Sequence, residues 1–448
     1  MKDKRVMVVG MAKSGIASAR LLIEKGAFVT LYDAKSLEDF PAHMFDEFAG
    51  KADFAFGAEP LPIAEAADVL VLSPGVPPGL DFIKKAHSAG KRVIGEIELG
   101  YIYSKGEFVA ITGTNGKTTT TALTGELFKN AGYYTHVLGN IGTPIAGEAT
   151  KTKKGDIIVA ETAALQLETI DTFAPRACAV LNITEDHLNR YGTMEKYIAA
   201  KERVFENQTG RDFCVLNYDN EITKSMQGKQ RSKLIWFSRK VKLDSGVFID
   251  EGRIVSREED GEHLICRADE LRIPGDHNLE NALAAAALGR CYRIPEHVIR
   301  KTFIEFPGVE HRIEFVREID GVRYINDSKG TNPDSTEKAA AAMKRPTVII
   351  LGGSSKNNSF VSMIRGFGEN IKALVAIGET QADILADART AGFGNIYTAD
   401  TLKGAIDKAR GIAREGWNIL LSPACASYDM FEDYEHRGRV FKDIVNSL

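Results

Sequence analysis

The sequence predicts an α/β protein of three domains. Short apolar runs alternate with amphipathic helical periods along most of the chain, the pattern of buried parallel strands joined by crossover helices. One such run, ending at Thr112, leads directly into a glycine-rich turn and a further helical period. The 448 residues, at roughly 150 per domain, make about three compact units.

The elements follow in order. Val6–Val9, Phe28–Tyr32 and Val69–Leu72 read as strands, with a helix over Ile16–Ile23, giving a doubly wound sheet. A second series opens at Phe108–Thr112 and continues through Ile157–Ala160 and Ala177–Leu181. It includes a polar, turn-rich stretch, 224–272, that reads as antiparallel strands. The segment Phe306-Pro-Gly-Val-Glu-His311 marks a linker at its Pro-Gly pair. A third series places strands at Val348–Leu351, Ala373–Ile377 and Ile419–Leu421. The expected domains are therefore 1–104, 105–308 and 309–448.

Composition excludes several classes of function. Hydrophobic residues are 44% and charged residues 26%, ordinary for a globular protein and unlike a disordered or collagen-like chain. A formal net charge of −4 is too balanced to advertise a nucleic-acid partner or an anionic membrane surface, so a polyanionic ligand must be met locally. The cysteines at 178, 214, 266, 291 and 425 are odd in number and form no CxxC pair, which speaks against a disulfide framework or a zinc site. The N-terminal apolar stretch is cut by Gly10 and Lys13, and no apolar run approaches the ~18 residues of a membrane span. The expectation is a cytoplasmic protein with neither membrane nor nucleic acid as partner.

The sharpest motif is Ile111-Thr-Gly-Thr-Asn-Gly-Lys-Thr-Thr119. Glycines let backbone N–H groups converge on phosphate oxygens, a helix N-terminus adds partial positive charge, Lys117 reaches the β- and γ-phosphates, and the Thr118 hydroxyl suits Mg²⁺. The loop is shortened, with Ile111 where the early glycine usually stands and Gly113 in its place; the competing reading is a tight turn capping a buried helix. Glu161, and the trio Glu185, Asp186 and His187, follow at strand ends, where open α/β sheets gather their ligands. Each also fits a helix-terminal carboxylate or a hydrogen-bonded loop histidine. Lys201 reads by itself as a solvated helix lysine. Pro274-Gly-Asp-His-Asn278, with Asn281, opens an Ala-rich helix where Asn278 either caps the helix or reads adenine edges.

Gly10-Met-Ala-Lys-Ser-Gly15, with Asp33 ending the next strand, has the layout of a dinucleotide fingerprint but carries Ala12 where the second glycine belongs. A nucleotide-sugar diphosphate, or plain strand–helix packing, fits it better than a nicotinamide cofactor. Ser73-Pro-Gly75 is a further strand-end loop, otherwise an ordinary Pro-Gly turn. The C-terminal third adds Asn326–Asn332, Gly352–Lys356 and Ser422–Tyr428, whose cation Lys356 and hydroxyls Thr331 and Ser427 suit a small carboxylate, though each also fits a capped loop.

Seven segments in order resemble the Mur ligase family: Gly113–Thr118, Gly139–Gly142, Asn182–His187, Ala199–Lys201, His311–Arg312, Asn326–Asn332 and Ser422–Ser427. The resemblance covers nearly the whole chain, and the last segment resembles the branch that adds D-glutamate; the Asp-Asn-Pro-Arg signature of the diaminopimelate- and lysine-adding relatives is absent. It implies an N-terminal Rossmann-like domain for the uridine nucleotide, a central P-loop ATPase domain, and a C-terminal Rossmann-like domain that brings the amino acid. It implies an ATP-dependent amide ligase adding D-glutamate to UDP-N-acetylmuramoyl-L-alanine through an acyl phosphate, in peptidoglycan precursor synthesis, acting as a monomer.

By motif matching, ATP would meet Gly113, Thr114, Asn115, Gly116, Lys117, Thr118, Thr119, Asn278, Asn281, Arg312 and Asp327. Thr118, Glu161, His187 and a carbamylated Lys201 would hold two Mg²⁺ ions, and Lys117, Glu161, His187 and Lys201 would carry the chemistry. Asn140 and His187 would face the nucleotide-sugar, and Thr331, Lys356, Ser427 and Tyr434 the D-glutamate, while Ser14, Asp33, Ser73, Lys329 and Tyr428 are further substrate-binding candidates. Tyr434 stands where the family has Phe, and Ala163 where it commonly has serine. The rival readings are another Mur ligase or a folylpolyglutamate synthase, an NAD(P)-dependent oxidoreductase built on Gly10–Gly15 and Asp33, and a regulatory NTPase.

Overall fold

A computed structural model describes residues 1–355 and 359–448, the side chain of Asn189 excepted. It is a mixed α/β protein with three sheets. By contact it forms two compact units: Met1–Leu271 with Leu279–Glu305, and Arg272–Asn278 with Phe306–Leu448.

The first unit holds two sheets. Strands β1 (Arg5–Val9), β2 (Phe28–Asp33), β3 (Ala52–Phe56), β4 (Val69–Leu72) and β5 (Arg92–Gly95) run in the order β3-β2-β1-β4-β5, all parallel. The helix Lys13–Glu24 turns Ala17, Leu21 and Leu22 onto this sheet, so the predicted helical period has its apolar face inward. The second sheet comprises β6 (Glu107–Thr112), β7 (Thr135–Gly139), β8 (Ile157–Glu161), β9 (Ala177–Val180), β10 (Phe213–Asn217), β11 (Lys233–Ser238), β12 (Gly246–Asp250), β13 (Arg253–Glu258) and β14 (Gly261–Arg267). Its order is β14-β13-β12-β11-β10-β9-β6-β8-β7. Here one expectation is corrected: β11 and β12 extend the sheet in parallel, and only the β12-β13-β14 meander is antiparallel. Polar turns in 224–272 signal connections, and the direction of pairing is set by the sheet that receives the strand.

The two sheets of this unit are joined by the helix Glu96–Tyr103. Glu98 is fully buried, and its carboxylate accepts the backbone N–H groups of Asp171, Thr172 and Phe173 and the Thr172 hydroxyl. Glu96 is also buried, but only Oε1 is used, accepting the Ala146 N–H at 2.7 Å; Oε2 has no partner. Burial raises the Glu96 carboxyl to about 7. A carboxyl with a folded-state value above its ordinary one holds a proton that the unfolded chain has lost, so it stabilises the fold at low pH and that contribution disappears as pH rises from about 4.5 to about 7. The expected result is that Glu96→Gln abolishes this fall, which is on the order of 3 kcal/mol for the native carboxyl. Denaturant unfolding at pH 5 and pH 8 measures it; equal pH slopes for variant and parent would show that Glu96 does not carry the effect.

The second unit is built on β15 (Glu314–Ile319), β16 (Val322–Asn326), β17 (Thr347–Gly352), β18 (Ile371–Ile377), β19 (Ile396–Thr398) and β20 (Asn418–Leu421). The order is β15-β16-β20-β17-β18-β19, parallel except for the β15–β16 hairpin. The three C-terminal loops singled out in the sequence leave the carboxyl ends of the neighbouring strands β16, β20 and β17.

Candidate active site

In the first unit the chain leaves β6 at Thr112, makes the glycine turn, and enters the helix Lys117–Asn130. Gly116 caps that helix at φ 84°, in the left-handed region, and a Cβ there would collide with Asn281 Oδ1. The turn is tied to the loop after β9 on several sides. Thr114 N–H donates to the Asn182 carbonyl at 2.9 Å and Asn115 N–H to Asn182 Oδ1 at 2.9 Å. Asn182 Nδ2 returns to the Asn115 carbonyl at 3.1 Å, and Thr184 N–H donates to Thr114 Oγ1 at 3.1 Å. Lys117 folds back over the turn, Nζ donating to the Gly113 and Thr114 carbonyls at 2.9 and 2.8 Å. Thr118 and Thr119 are buried in the first helical turn. Asn281 accepts from Thr120 Oγ1 at 3.2 Å, so it reaches this turn from the Ala-rich helix Asp276–Cys291.

Glu161 ends β8, buried. Its Oε1 accepts Asn140 Nδ2 at 2.8 Å, and the Asn140 N–H donates to the Glu161 carbonyl at 2.9 Å, so the two residues stand together. Oε2 is buried and accepts nothing. Leaving a carboxylate oxygen so costs about 1–3 kcal/mol or more, and oxygen donors of this kind suit a hard divalent cation. Lys201 lies in the helix Met194–Glu202, only 1% exposed. Its Nζ donates to the Gly113 carbonyl at 2.7 Å and sits 4.8 Å from the Tyr197 ring. Burial, and the nearby Lys117 charge, hold its ammonium well below the usual lysine range.

His187 is the residue that the structure brings least close to its expected role. It takes a left-handed conformation at φ 52° before the short helix Leu188–Tyr191, with its side chain about half exposed, Nε2 3.6 Å from Asp186 Oδ2 and its ring 6.3 Å from Tyr197. Among the described residues, the acidic and histidine side chains that converge closely enough for a cation are Glu310, His311 and Glu314, and that group does not include Glu161 or His187.

Tyr197 carries a role that the motif reading passed over. Its hydroxyl meets Thr114 Oγ1 at 3.2 Å, while its ring faces both Lys201 and His187. The signal was present, because Tyr197 and Lys201 are spaced i,i+4 on one helix face.

The N-terminal candidates are largely engaged with their own loop. Asp33 Oδ2 accepts the Met11 N–H at 2.8 Å, and the buried Ser73 hydroxyl donates to the Gly10 carbonyl at 2.7 Å. Ser14, in the first turn of its helix, accepts Ser18 Oγ through its carbonyl.

In the second unit, Asp327 is buried on the loop after β16. Its Oδ2 accepts Ser422 Oγ at 2.6 Å and its Oδ1 the Ile313 N–H at 3.2 Å; burial raises it to about 6, against the opposing pull of Arg312. Asn278 is not a side-chain cap as one reading had it: the helix starts at Asp276, and Asn278 Nδ2 donates back to the Pro274 carbonyl at 2.7 Å. Asn278 and Arg312 line one cavity of about 910 Å³ with Arg272, Pro274 and Ile325, and Arg312 Nε is buried there without an acceptor.

Lys329 Nζ lies 5.4 Å over the Tyr434 ring, whose hydroxyl donates to Glu435 Oε1 at 3.1 Å. Thr331 N–H donates to the Lys329 carbonyl, Ser427 is buried, and Tyr428 is 75% exposed. Lys356 lies outside the described residues. Arg437, which no motif announces, is buried and donates to Ser328 Oγ and O and to the Cys425 and Ala426 carbonyls, joining two of the three loops.

Three family models match successive parts of the chain. Residues 4–95 match the Mur ligase MurD-like N-terminal domain, 111–289 the Mur ligase middle domain, and 311–425 the Mur ligase glutamate ligase domain. The chain is 47% identical to a UDP-N-acetylmuramoylalanine--D-glutamate ligase of Pelotomaculum thermopropionicum over 99% of this chain and 98% of that one. It is 44% identical to the ligase of the same name from Clostridioides difficile over 100% and 99%. The MurF ligase of Thermotoga maritima, solved in complex with ADP, shares the fold with a TM-score of 0.61 at 15% identity, over 94% of this chain and 95% of that one. On the two full-length likenesses above 40%, the chain belongs to the Mur ligase family.

Proposed function

We propose that this protein is an ATP-dependent ligase that joins D-glutamate to UDP-N-acetylmuramoyl-L-alanine, a monomeric cytoplasmic enzyme of peptidoglycan precursor synthesis releasing ADP and phosphate. The observation that carries the reading is the 47% identity, along 99% of the chain, to a relative named for that reaction. The glycine turn with Lys117 at its helix and the half-used carboxylate of Glu161 support it chemically. The domains 1–104, 105–308 and 309–448 would bring the nucleotide-sugar, ATP and D-glutamate respectively.

A carboxylate is a poor acyl donor, because its charge repels nucleophiles and its oxide leaves badly. In the first step a substrate carboxylate oxygen attacks the γ-phosphorus of ATP and the bond to ADP breaks, giving an acyl phosphate. In the second the D-glutamate amine attacks the acyl carbon, the tetrahedral intermediate expels phosphate, and the nitrogen loses its proton.

Lys117 and the N–H groups of the glycine turn offset charge on the transferring phosphoryl group. Thr118, Glu161, His187 and Lys201 are the residues that would hold Mg²⁺, which supplies Lewis-acid neutralisation of phosphate oxygens. Asn140 orients Glu161 through the 2.8 Å bond. Asn278, Asn281, Arg312 and Asp327 serve the nucleotide, and the buried donor Arg312 Nε supports that assignment. Lys329, Thr331, Ser427, Tyr434 and Lys356 serve the incoming amino acid.

The test is phosphate release from ATP with Mg²⁺ and UDP-N-acetylmuramoyl-L-alanine. Turnover is expected with D-glutamate and not with L-glutamate, L-lysine or diaminopimelate. Turnover with another amino acid would keep the ligase chemistry and move the substrate; hydrolysis independent of both co-substrates would make the protein an NTPase.

A further inference from the structure

The residues around Arg312 form a strained turn. His311 and Ile313, on either side of it, both lie in the left-handed region, at φ 63° and 45°. For a β-branched isoleucine this is a genuine outlier, and such strain persists only where the surroundings over-determine it.

Here they do. The His311 N–H donates to Glu314 Oε2 at 2.9 Å, the His311 carbonyl accepts the Lys329 N–H at 3.0 Å, and the Ile313 N–H donates to Asp327 Oδ1 at 3.2 Å. The His311 ring is buried, with Nδ1 2.9 Å from Asn326 Nδ2, and it packs so closely on Gly438 that any Cβ there would collide with it. Glu314 is the shared element. Its Oε2 also accepts Asn326 Nδ2 at 3.1 Å, and its Oε1 takes Lys442 Nζ at 2.7 Å. The same ammonium holds Glu310 Oε1 at 2.8 Å. One lysine of the helix Tyr434–Ser447 therefore ties both ends of the turn.

The geometry points to Glu314 and Lys442 as positioning residues for Arg312. The inference rests on the reading of Arg312 as a nucleotide contact. Without the ammonium, Glu310 and Glu314 lose the cation they share; Glu314 withdraws, the His311 N–H loses its acceptor, and the turn relaxes out of its strained form. The guanidinium is then aimed elsewhere, and an error of about 1 Å is enough to lose much of its effect. Although Glu310, His311 and Glu314 converge closely enough for a metal, the Lys442 ammonium already supplies the positive charge there.

The experiment compares Lys442→Met, Lys442→Arg, Glu314→Gln and Arg312→Ala in the full-length enzyme, measuring KM for each substrate, kcat and Tm. Lys442→Met and Glu314→Gln are expected to raise KM for ATP about tenfold while KM for the nucleotide-sugar and kcat at saturating ATP stay within about twofold, and Lys442→Arg to restore the parent values. A KM for ATP unchanged in Lys442→Met, when Arg312→Ala raises it, would overturn the proposal and leave the nucleotide assignment intact. An unchanged KM for ATP in Arg312→Ala would overturn that assignment and the proposal with it. A Lys442→Met and a Glu314→Gln that both fail to fold, or that raise every KM alike while Tm falls, would make the pair structural and also overturn it.

Discussion

Lys117→Ala is expected to lower D-glutamate-dependent phosphate release by about 10³-fold, the scale of losing a preorganised group that meets developing charge. The fold should survive the change. Lys117 starts the helix that Gly116 caps, its side chain is half-buried, and its Nζ donates to two backbone carbonyls of its own turn, at 2.9 and 2.8 Å. Alanine is also a good helix former.

The loss should therefore fall on phosphoryl transfer, with Tm close to the parent. A second consequence follows from electrostatics. The Lys117 charge is among the causes that hold Lys201 below the usual lysine range, so its removal moves the Lys201 ammonium back upward. Titration of Lys201 by NMR in the two proteins reads this directly. Activity within about tenfold of the parent would mean that the glycine turn caps a helix and does no phosphate chemistry.

How much of this was legible in the sequence depends on how far apart the interacting residues lie. Strands buried on both faces, such as Val6–Val9, Val69–Leu72 and Ile157–Ala160, announce themselves as continuous apolar runs. Several of those passed over are edge or one-sided strands, although the interior, buried β10 was passed over as well. In β3 the Ala-Asp-Phe-Ala-Phe sequence is only partly buried, β7 carries Thr135 and His136 at the sheet edge, and β15 carries Glu314, Arg317 and Glu318 beside an exposed Phe315.

The glycine turn was readable because its function is written in adjacent residues, and Glu161 because a carboxylate at a strand's carboxyl end has a positional meaning. Arg437 was not readable. Its partners include Ser328, 109 positions away, and a lone arginine on an amphipathic helix gives no hint that it is buried against four acceptors. The strained turn around Arg312 was hidden for a related reason: His-Arg was visible as a motif, whereas the left-handed conformations flanking the arginine depend on Glu314, Asp327 and Lys442.

Lys201→Ala is expected to lose about 10²- to 10³-fold in activity and to recover part of it with millimolar formate or acetate, on the scale of removing one group from a charge-stabilising site. A solvated helix lysine, the plain reading of its sequence, would lose nothing. The structure removes that reading by burying the side chain against Tyr197 and the Gly113 carbonyl.

Burial favours the neutral amine, and a neutral amine is the form that adds to carbon dioxide: the nitrogen lone pair attacks the carbon, a C–N bond forms, and one proton is released to give a carbamate. The product carries anionic oxygens where an ammonium stood, and so converts a residue that repels Mg²⁺ into one that attracts it.

The sign with pH can be worked out. Because the folded-state value lies below the ordinary 10.5, the unfolded chain binds more protons between the two, and Lys201 makes stability rise with pH through that window. In the native enzyme at limiting carbon dioxide, activity should rise as pH passes through the lowered folded-state value, where the neutral amine becomes available, and level off above it, and Lys201→Ala supplemented with formate should lack that rise. Loss of activity without rescue would discard the carbamate while keeping the lysine essential, and retained activity would reduce Lys201 to a structural donor for Gly113.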